Sequence, residues 1–201
     1  MSCVKYNFVE RHLSKRCNKW LVKVPDEFFT DKFNLVGIYD ILGIRSLERA
    51  LSLIINNNEE IEEHDFTSIE KNASFLYGLV HARYITTPEG LDDMKRKYVK
   101  NDFGRCLKVS CFNQAMLPIG LHDTPSHEEV KMYCPKCEDV FHPEVESEME
   151  DEDEDEGLSE DGSEDSYYYI DESFCDGAFF GTGFPQFFFF QFPFLRPEKK
   201  E

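Results

Sequence analysis

Apolar residues recur at helical spacing from Trp20 to Tyr98, and past Gly104 that period stops. Four helices are expected in the first stretch. Pro25 at a first helical position, followed by Asp26 and Glu27, opens one with Phe28, Phe29 and Phe33 as its apolar face, and Gly37 ends it. A second begins near Ser46, carries Leu47, Ala50, Leu51 and Ile54, and stops in Asn56-Asn57-Asn58. In the third, Thr67 and Glu70 form a capping box and Ile69, Ala73, Leu76, Val80 and Tyr84 share a face. Thr87-Pro88 caps a fourth, with Leu91, Met94 and Tyr98 facing inward. His81 and Arg83, on the third helix, read as packed or paired residues rather than catalytic ones.

Beyond Asn101-Asp102-Phe103-Gly104 the pattern predicts short strands and turns. Val109, Leu117, Ile119, Leu121, Val140 and Phe141 are more apolar side chains than so small a module can bury alone, so some of them meet another surface. After Asp176 the glycines permit tight turns, and the aromatics anchor a strand on a core. Nine of the nineteen phenylalanines lie between Phe179 and Phe194, and these must pack on the helical domain or on a partner. The fold class expected is α+β, an α-helical amino-terminal domain followed by a small zinc-ribbon-like four-cysteine domain. The divisions are residues 1–100 for the helical domain, with an acidic loop at 56–65, and 101–143 for the four-cysteine domain. A disordered acidic insertion follows at 144–175, then a Gly/Phe-rich segment at 176–201 that packs back on the fold.

The candidate chemistry lies in four of the seven cysteines, Cys106/Cys111 and Cys134/Cys137, spaced C-x4-C, 22 residues, C-x2-C. Two short loops that each offer two thiolates suit tetrahedral zinc, and Pro135 stiffens the second while Lys136 offsets thiolate charge. Two disulfides, buried free thiols and a redox CxxC are the alternatives. Met1 to Arg16 has no apolar run resembling a secretory signal, which favours zinc over disulfides and leaves Cys3, Cys17 and Cys175 as ordinary thiols of an intracellular chain. Four cysteine ligands leave no open coordination position, so the reading is one structural Zn2+ per chain rather than a hydrolase.

The net charge of −18 is local: 16 of the 40 acidic residues lie between Glu144 and Glu172, a stretch without lysine or arginine, leaving 24 acidic against 22 basic residues elsewhere. No basic surface is concentrated enough for nucleic acid, and the longest apolar run, Phe187 to Phe190, is too short to span a membrane. The acidic segment has too few aliphatic residues to form a core and is expected to be disordered. Glu59, Glu60, Glu62, Glu63 and Asp65 form a second acidic stretch that can hold basic ligands, with a solvated connection as the plainer reading. Gly181-Thr182-Gly183 is followed by Pro185 and phenylalanines, where a phosphate site would need a free helix start. No Gly-rich loop with a lysine strand and no HRD or DFG set is present, so the chain is not expected to be a kinase or other enzyme.

Several motifs resemble the regulatory beta subunit of casein kinase II, over roughly Asp26 to Pro197. They are Asp31-Lys32-Phe33-Asn34-Leu35, Leu76-Tyr77-Gly78-Leu79 with His81-Ala82-Arg83-Tyr84-Ile85, and Asp102-Phe103-Gly104 before Cys106. Met116-Leu117-Pro118-Ile119-Gly120-Leu121, Tyr133-Cys134-Pro135-Lys136-Cys137, Asp176-Gly177-Ala178 and Phe180-Gly181-Thr182-Gly183-Phe184-Pro185 continue the match. The resemblance implies a zinc-dependent homodimer that carries, stabilises and redirects two catalytic subunits of a Ser/Thr kinase in cytoplasm and nucleus. Its dimer contacts fall on Leu107, Val109, Leu121 and Val140, and its acidic loop, matching Glu59 to Asp65, implies binding of polyamines or basic proteins. Ser147, with Glu150 at the third following position, and Ser159 and Ser163, each followed by a carboxylate, suit phosphorylation by such a kinase. The serine-rich start of the family is replaced by Met1-Ser2-Cys3-Val4-Lys5-Tyr6. Family members continue past the position of Glu201 into an aromatic hairpin that grips the catalytic subunit, so weaker docking is expected, with Phe187 to Phe194 as the only candidate replacement. In the family that stretch is a short helix packed on its own subunit. The alternative function is a dimeric zinc adaptor that has lost kinase docking and holds basic proteins through its acidic segment.

Overall fold

Asn7 starts the first helix of the computed structural model, which describes residues 7–55, 63–143 and 175–198. Its side chain accepts a hydrogen bond from Glu10 N at 3.2 Å, and helix α1 (Phe8–Ser14) turns Phe8, Val9 and His12 inward. So short a helix has too few apolar positions to show a period in sequence. Helix α2 (Asp26–Thr30) is also short and corrects the expected one. Pro25 is its cap rather than its first residue, and the helix breaks at Asp31, whose side chain accepts from Phe33 N to start a 3-10 turn, Lys32–Leu35. The break buries Phe29 but leaves Phe33 85% exposed, so Phe33 is not part of an inward face. Gly37, at φ +80°, opens helix α3 (Ile38–Leu42) instead of closing its predecessor.

Helix α4 (Ile44–Ile55) buries Leu47, Ala50, Leu53 and Ile54 against helix α5 (Glu63–Tyr84), which buries Ile69, Ala73, Leu76, Val80 and Tyr84. Helix α5 starts at Glu63, not at Thr67, and takes in the end of the expected acidic loop. Glu70 is therefore not a capping-box partner; it lies 4.0 Å from Arg11 and 3.9 Å from Lys15 and ties α5 to the α1 region. Helix α6 (Pro88–Lys100) follows the expected signals: Thr87 accepts from Gly90 N, Leu91, Met94 and Tyr98 are buried, and Asn101 ends it in a left-handed conformation.

The stretch from Trp20 to Val24 crosses α5 without a strand partner, and two side chains one turn apart satisfy its backbone. Val22 N donates to His81 Nε2 at 3.1 Å, Val24 N donates to the Tyr77 hydroxyl at 2.9 Å, and that hydroxyl donates to Val22 O at 3.0 Å. His81 Nε2 is thus the acceptor, so Nδ1 carries the proton and donates to Phe179 O at 2.7 Å. Arg83 donates to Asn34 O at 2.5 Å and Val36 O at 2.7 Å, fixing the 3-10 turn to the same helix. Both residues are structural, as their setting in the sequence suggested.

Beyond α6 lies a three-stranded antiparallel sheet in the order β1 (Leu117–Ile119), β2 (Lys131–Cys134), β3 (Asp139–Phe141). The chain re-enters at Cys175, whose carbonyl accepts from Val130 N at 2.8 Å, and Gly177 N donates to Glu128 O at 2.8 Å. The strand expected after Asp176 is instead a 3-10 turn, Gly177–Phe179, and it leads into helix α7 (Phe184–Gln191), the short packed helix that the resemblance implied; Pro185 in a first helical turn is compatible with that conformation. Phe184, Phe188, Phe189 and Phe192 are buried, with Phe188 5.2 Å from the Tyr98 ring, whereas Phe187, Phe190 and Phe194 are exposed. One hydrophobic core runs from Phe8 through α4, α5 and α6 to Cys106, Cys134 and Phe192. The architecture is α+β, a helical domain joined to a four-cysteine module of zinc-ribbon type.

Candidate metal centre

The Sγ atoms of Cys106, Cys111, Cys134 and Cys137 all lie within 4.8 Å of one another. Cys106 and Cys137 are 4.0 Å apart, and Cys111 and Cys134 are 3.9 Å apart. A tetrahedral ion with metal–sulfur bonds of about 2.3 Å requires sulfur–sulfur edges of about 3.8 Å. A disulfide needs about 2.05 Å, and none of these thiols is paired. The donor set and its spacing therefore fit a tetrahedral metal ion, and four thiols fill its coordination sphere.

Local backbone geometry builds the two knuckles. Cys106 N donates to Gln114 O at 2.8 Å, and a 3-10 turn, Val109–Cys111, leads into Phe112 and Asn113, both at positive φ, which reverse the chain. Cys134 ends β2, and the turn to β3 closes with Glu138 N donating to Cys134 O at 2.9 Å while Glu138 takes a φ of 57°. Lys136 Nζ donates to Cys111 O at 3.3 Å, so the lysine of the second knuckle holds the first. Lys108 and Asp139 form an ion pair at 2.6 Å between the same two segments. Burial pushes the Cys134 thiol up to about 12, so at neutral pH a bound cation is what would hold it as a thiolate.

The module exposes apolar side chains around this centre. Leu117 and Ile119 are buried by the sheet and α7, but Leu107 is 77%, Val109 90%, Leu121 43% and Val140 37% exposed. Phe112, 69% exposed with Lys136 Nζ 4.5 Å from its ring centre, belongs with them and was missed. Its one signal in the sequence is an aromatic directly after Cys111. Glu59, Glu60 and Glu62, together with Ser147, Ser159, Ser163 and the rest of the acidic segment from residue 144 to 174, lie outside the described residues. Glu63 and Asp65 fall within α5. Among the described residues no helix is long and apolar enough to cross a membrane.

Fold and site define a helical domain carrying a four-cysteine, metal-fitting ribbon module. The family model for the casein kinase II regulatory subunit matches residues 7–154. A casein kinase II subunit beta of Dictyostelium discoideum is 35% identical over 184 residues, covering 90% of this chain and 59% of the relative. The beta' subunit of Drosophila melanogaster is 36% identical over 187 residues, 92% of this chain and 74% of its own. The beta subunit of Schizosaccharomyces pombe is 34% identical over 195 residues, 96% of this chain and 73% of its own. The chain belongs to the casein kinase II regulatory subunit family, whose members are regulatory rather than catalytic, and it spans about six tenths of the length of the Dictyostelium relative.

Proposed function

We propose that the chain is a zinc-dependent, dimeric regulatory subunit that holds and stabilises a casein kinase II catalytic subunit and alters its substrate choice. The observation that carries this reading is a four-thiol cluster of tetrahedral dimensions in a module that leaves Leu107, Val109, Leu121 and Val140 in water. Apolar side chains collected on a metal-rigidified module suit an isologous contact, in which a second copy covers what the first cannot. Zn2+ is the fitting ion, because soft thiolates in a closed tetrahedral set match its preferences. The division into a helical domain, a dimerisation module, an acidic insertion and a returning Phe-rich segment serves that role.

The acidic stretches add a negative field for polyamines or basic proteins, and phosphorylation of Ser147, Ser159 and Ser163 would deepen it. The setting we propose is cytoplasm and nucleus. Size-exclusion chromatography with light scattering is the test, on the chain alone and mixed with a casein kinase II catalytic subunit. A dimeric mass alone and a co-eluting complex in the mixture are expected. A monomer that retains its zinc would overturn the dimer, and a dimer that never co-elutes with the kinase would overturn the docking. Mass spectrometry after incubation with the catalytic subunit tests the three serines.

A further inference from the structure

Two exposed histidines in the loop between β1 and β2 lie together away from the cysteines. The rings of His122 and His127 have centroids 5.4 Å apart and are tilted by 54°. A cation bound to an imidazole nitrogen at about 2.0 to 2.1 Å sits about 3.2 Å from the ring centre, so two rings at a tetrahedral angle are about 5.2 Å apart. The observed centroid spacing is close to that value and about 0.9 Å wider than the roughly 4.5 Å of two rings at a right angle on a six-coordinate ion, a gap that rotation of exposed side chains closes. We propose that His122 and His127 form a second metal site, which takes a borderline divalent transition-metal cation of the Ni2+ or Zn2+ type and leaves its remaining positions to water.

The loop presents the pair on a fixed frame. Ser126, at φ +61°, reverses the chain and brings residue 127 back toward 122. Ser126 N donates to Asp176 Oδ2 at 2.6 Å, while Asp123 accepts from Thr182 N at 2.8 Å and from Thr182 Oγ1 at 3.1 Å. Gly120 N donates to Gly181 O at 3.0 Å, so both ends of the loop are tied to the segment after Cys175. Ligands that need not be ordered on binding lose less affinity to entropy. Asp176 also lies within electrostatic reach of His127, and its carboxylate would offset the charge of a bound cation. Elsewhere, His12 and His81 are buried in the helical domain, and His142 Nδ1 is 3.2 Å from Lys131 Nζ. A cation on the pair would brace the loop that holds the Phe-rich segment to the sheet.

The test is calorimetric titration of Ni2+ into the full, zinc-loaded chain in excess Mg2+, which occupies the carboxylates of the acidic segment but is a poor partner for imidazole. One Ni2+ per chain is expected, with zinc content unchanged and a rise in Tm on binding. His122→Ala and His127→Ala should each weaken it by about tenfold or more, since loss of a supporting contact alone typically costs that much. Elemental zinc and circular dichroism report whether each variant is folded, and His122→Gln and His127→Gln serve if an alanine variant is not. Absence of Ni2+ binding in Mg2+, or binding that the folded variants retain, would overturn the proposal.

Discussion

His81 shows what a single residue contributes to this fold and why its partners could not be read from the chain. Its imidazole bridges Val22 N and Phe179 O, which lie 59 and 98 positions away in sequence. A histidine and arginine on an amphipathic helix are legible as structural; the segments they hold are not, because nothing local encodes a contact over that separation. Burial lowers His81 to about 4, and burial with Lys15 nearby lowers His12 to about 3. Both lie below the ordinary value of about 6.5, so the unfolded chain takes up these protons first. Their contribution to stability is complete above about pH 6.5 and is lost as pH falls toward 4, at about 1.4 kcal/mol per pH unit for each histidine. Urea unfolding of zinc-loaded protein should accordingly show stability falling from pH 6.5 to 5.5, and His81→Gln should remove about half of that slope. A flat profile over this range, with zinc retained, would refute the assignment.

Elements were legible where caps and period agreed and misread where either was missing. Helix α6 has Thr87, Pro88 and three inward residues at regular spacing, and it forms as its sequence predicts. Helix α1 has too short a pattern to register, and α2 is cut by the Asp31 turn; Phe187-Phe188-Phe189-Phe190 has no period, so its helix was implied by the family resemblance alone, and packing against α6 and β1 supports it. The junction of α5 with the returning segment is equally dependent on tertiary contact. A Cβ at Gly78 would overlap the ring of Phe179, whose carbonyl is also the His81 acceptor. Helix propensity favours alanine over glycine by about 1 kcal/mol. Overpacking a tight contact costs about 1 to 3 kcal/mol and should win here. We expect Gly78→Ala to destabilise the chain by up to about 2 kcal/mol in chemical denaturation. Adding Phe179→Leu should make the alanine less costly than it is in the native background. If Gly78→Ala stabilises the protein, the close approach of helix and ring is wrong.

At the scale of the whole molecule, the four-thiol cluster was the most legible feature, because four cysteines in two short loops are brought together by spacing alone. The apolar side chains it displays were legible in part: Val109, Leu121 and Val140 stood out in the pattern and Leu107 came only with the family resemblance, while Phe112 depends on a positive-φ turn that sequence does not announce. Two substitutions separate metal from interface. Cys134→Ala removes a buried ligand, and structural zinc contributes an apparent 10 to 16 kcal/mol or so in small domains, so the module should lose zinc and unfold, and dimers should disappear with it. Elemental analysis and light scattering read both outcomes. Leu121→Glu acts differently, because Leu121 is 43% exposed in the isolated chain and a carboxylate there stays in water. In a symmetric dimer the same carboxylate is buried twice without a partner, at a cost that several kilocalories of apolar contact cannot offset. The variant should therefore elute as a folded monomer that keeps one zinc per chain. A Leu121→Glu protein that remained dimeric would place the dimer contact on another face, whereas one that lost its zinc would show that Leu121 supports the metal module itself.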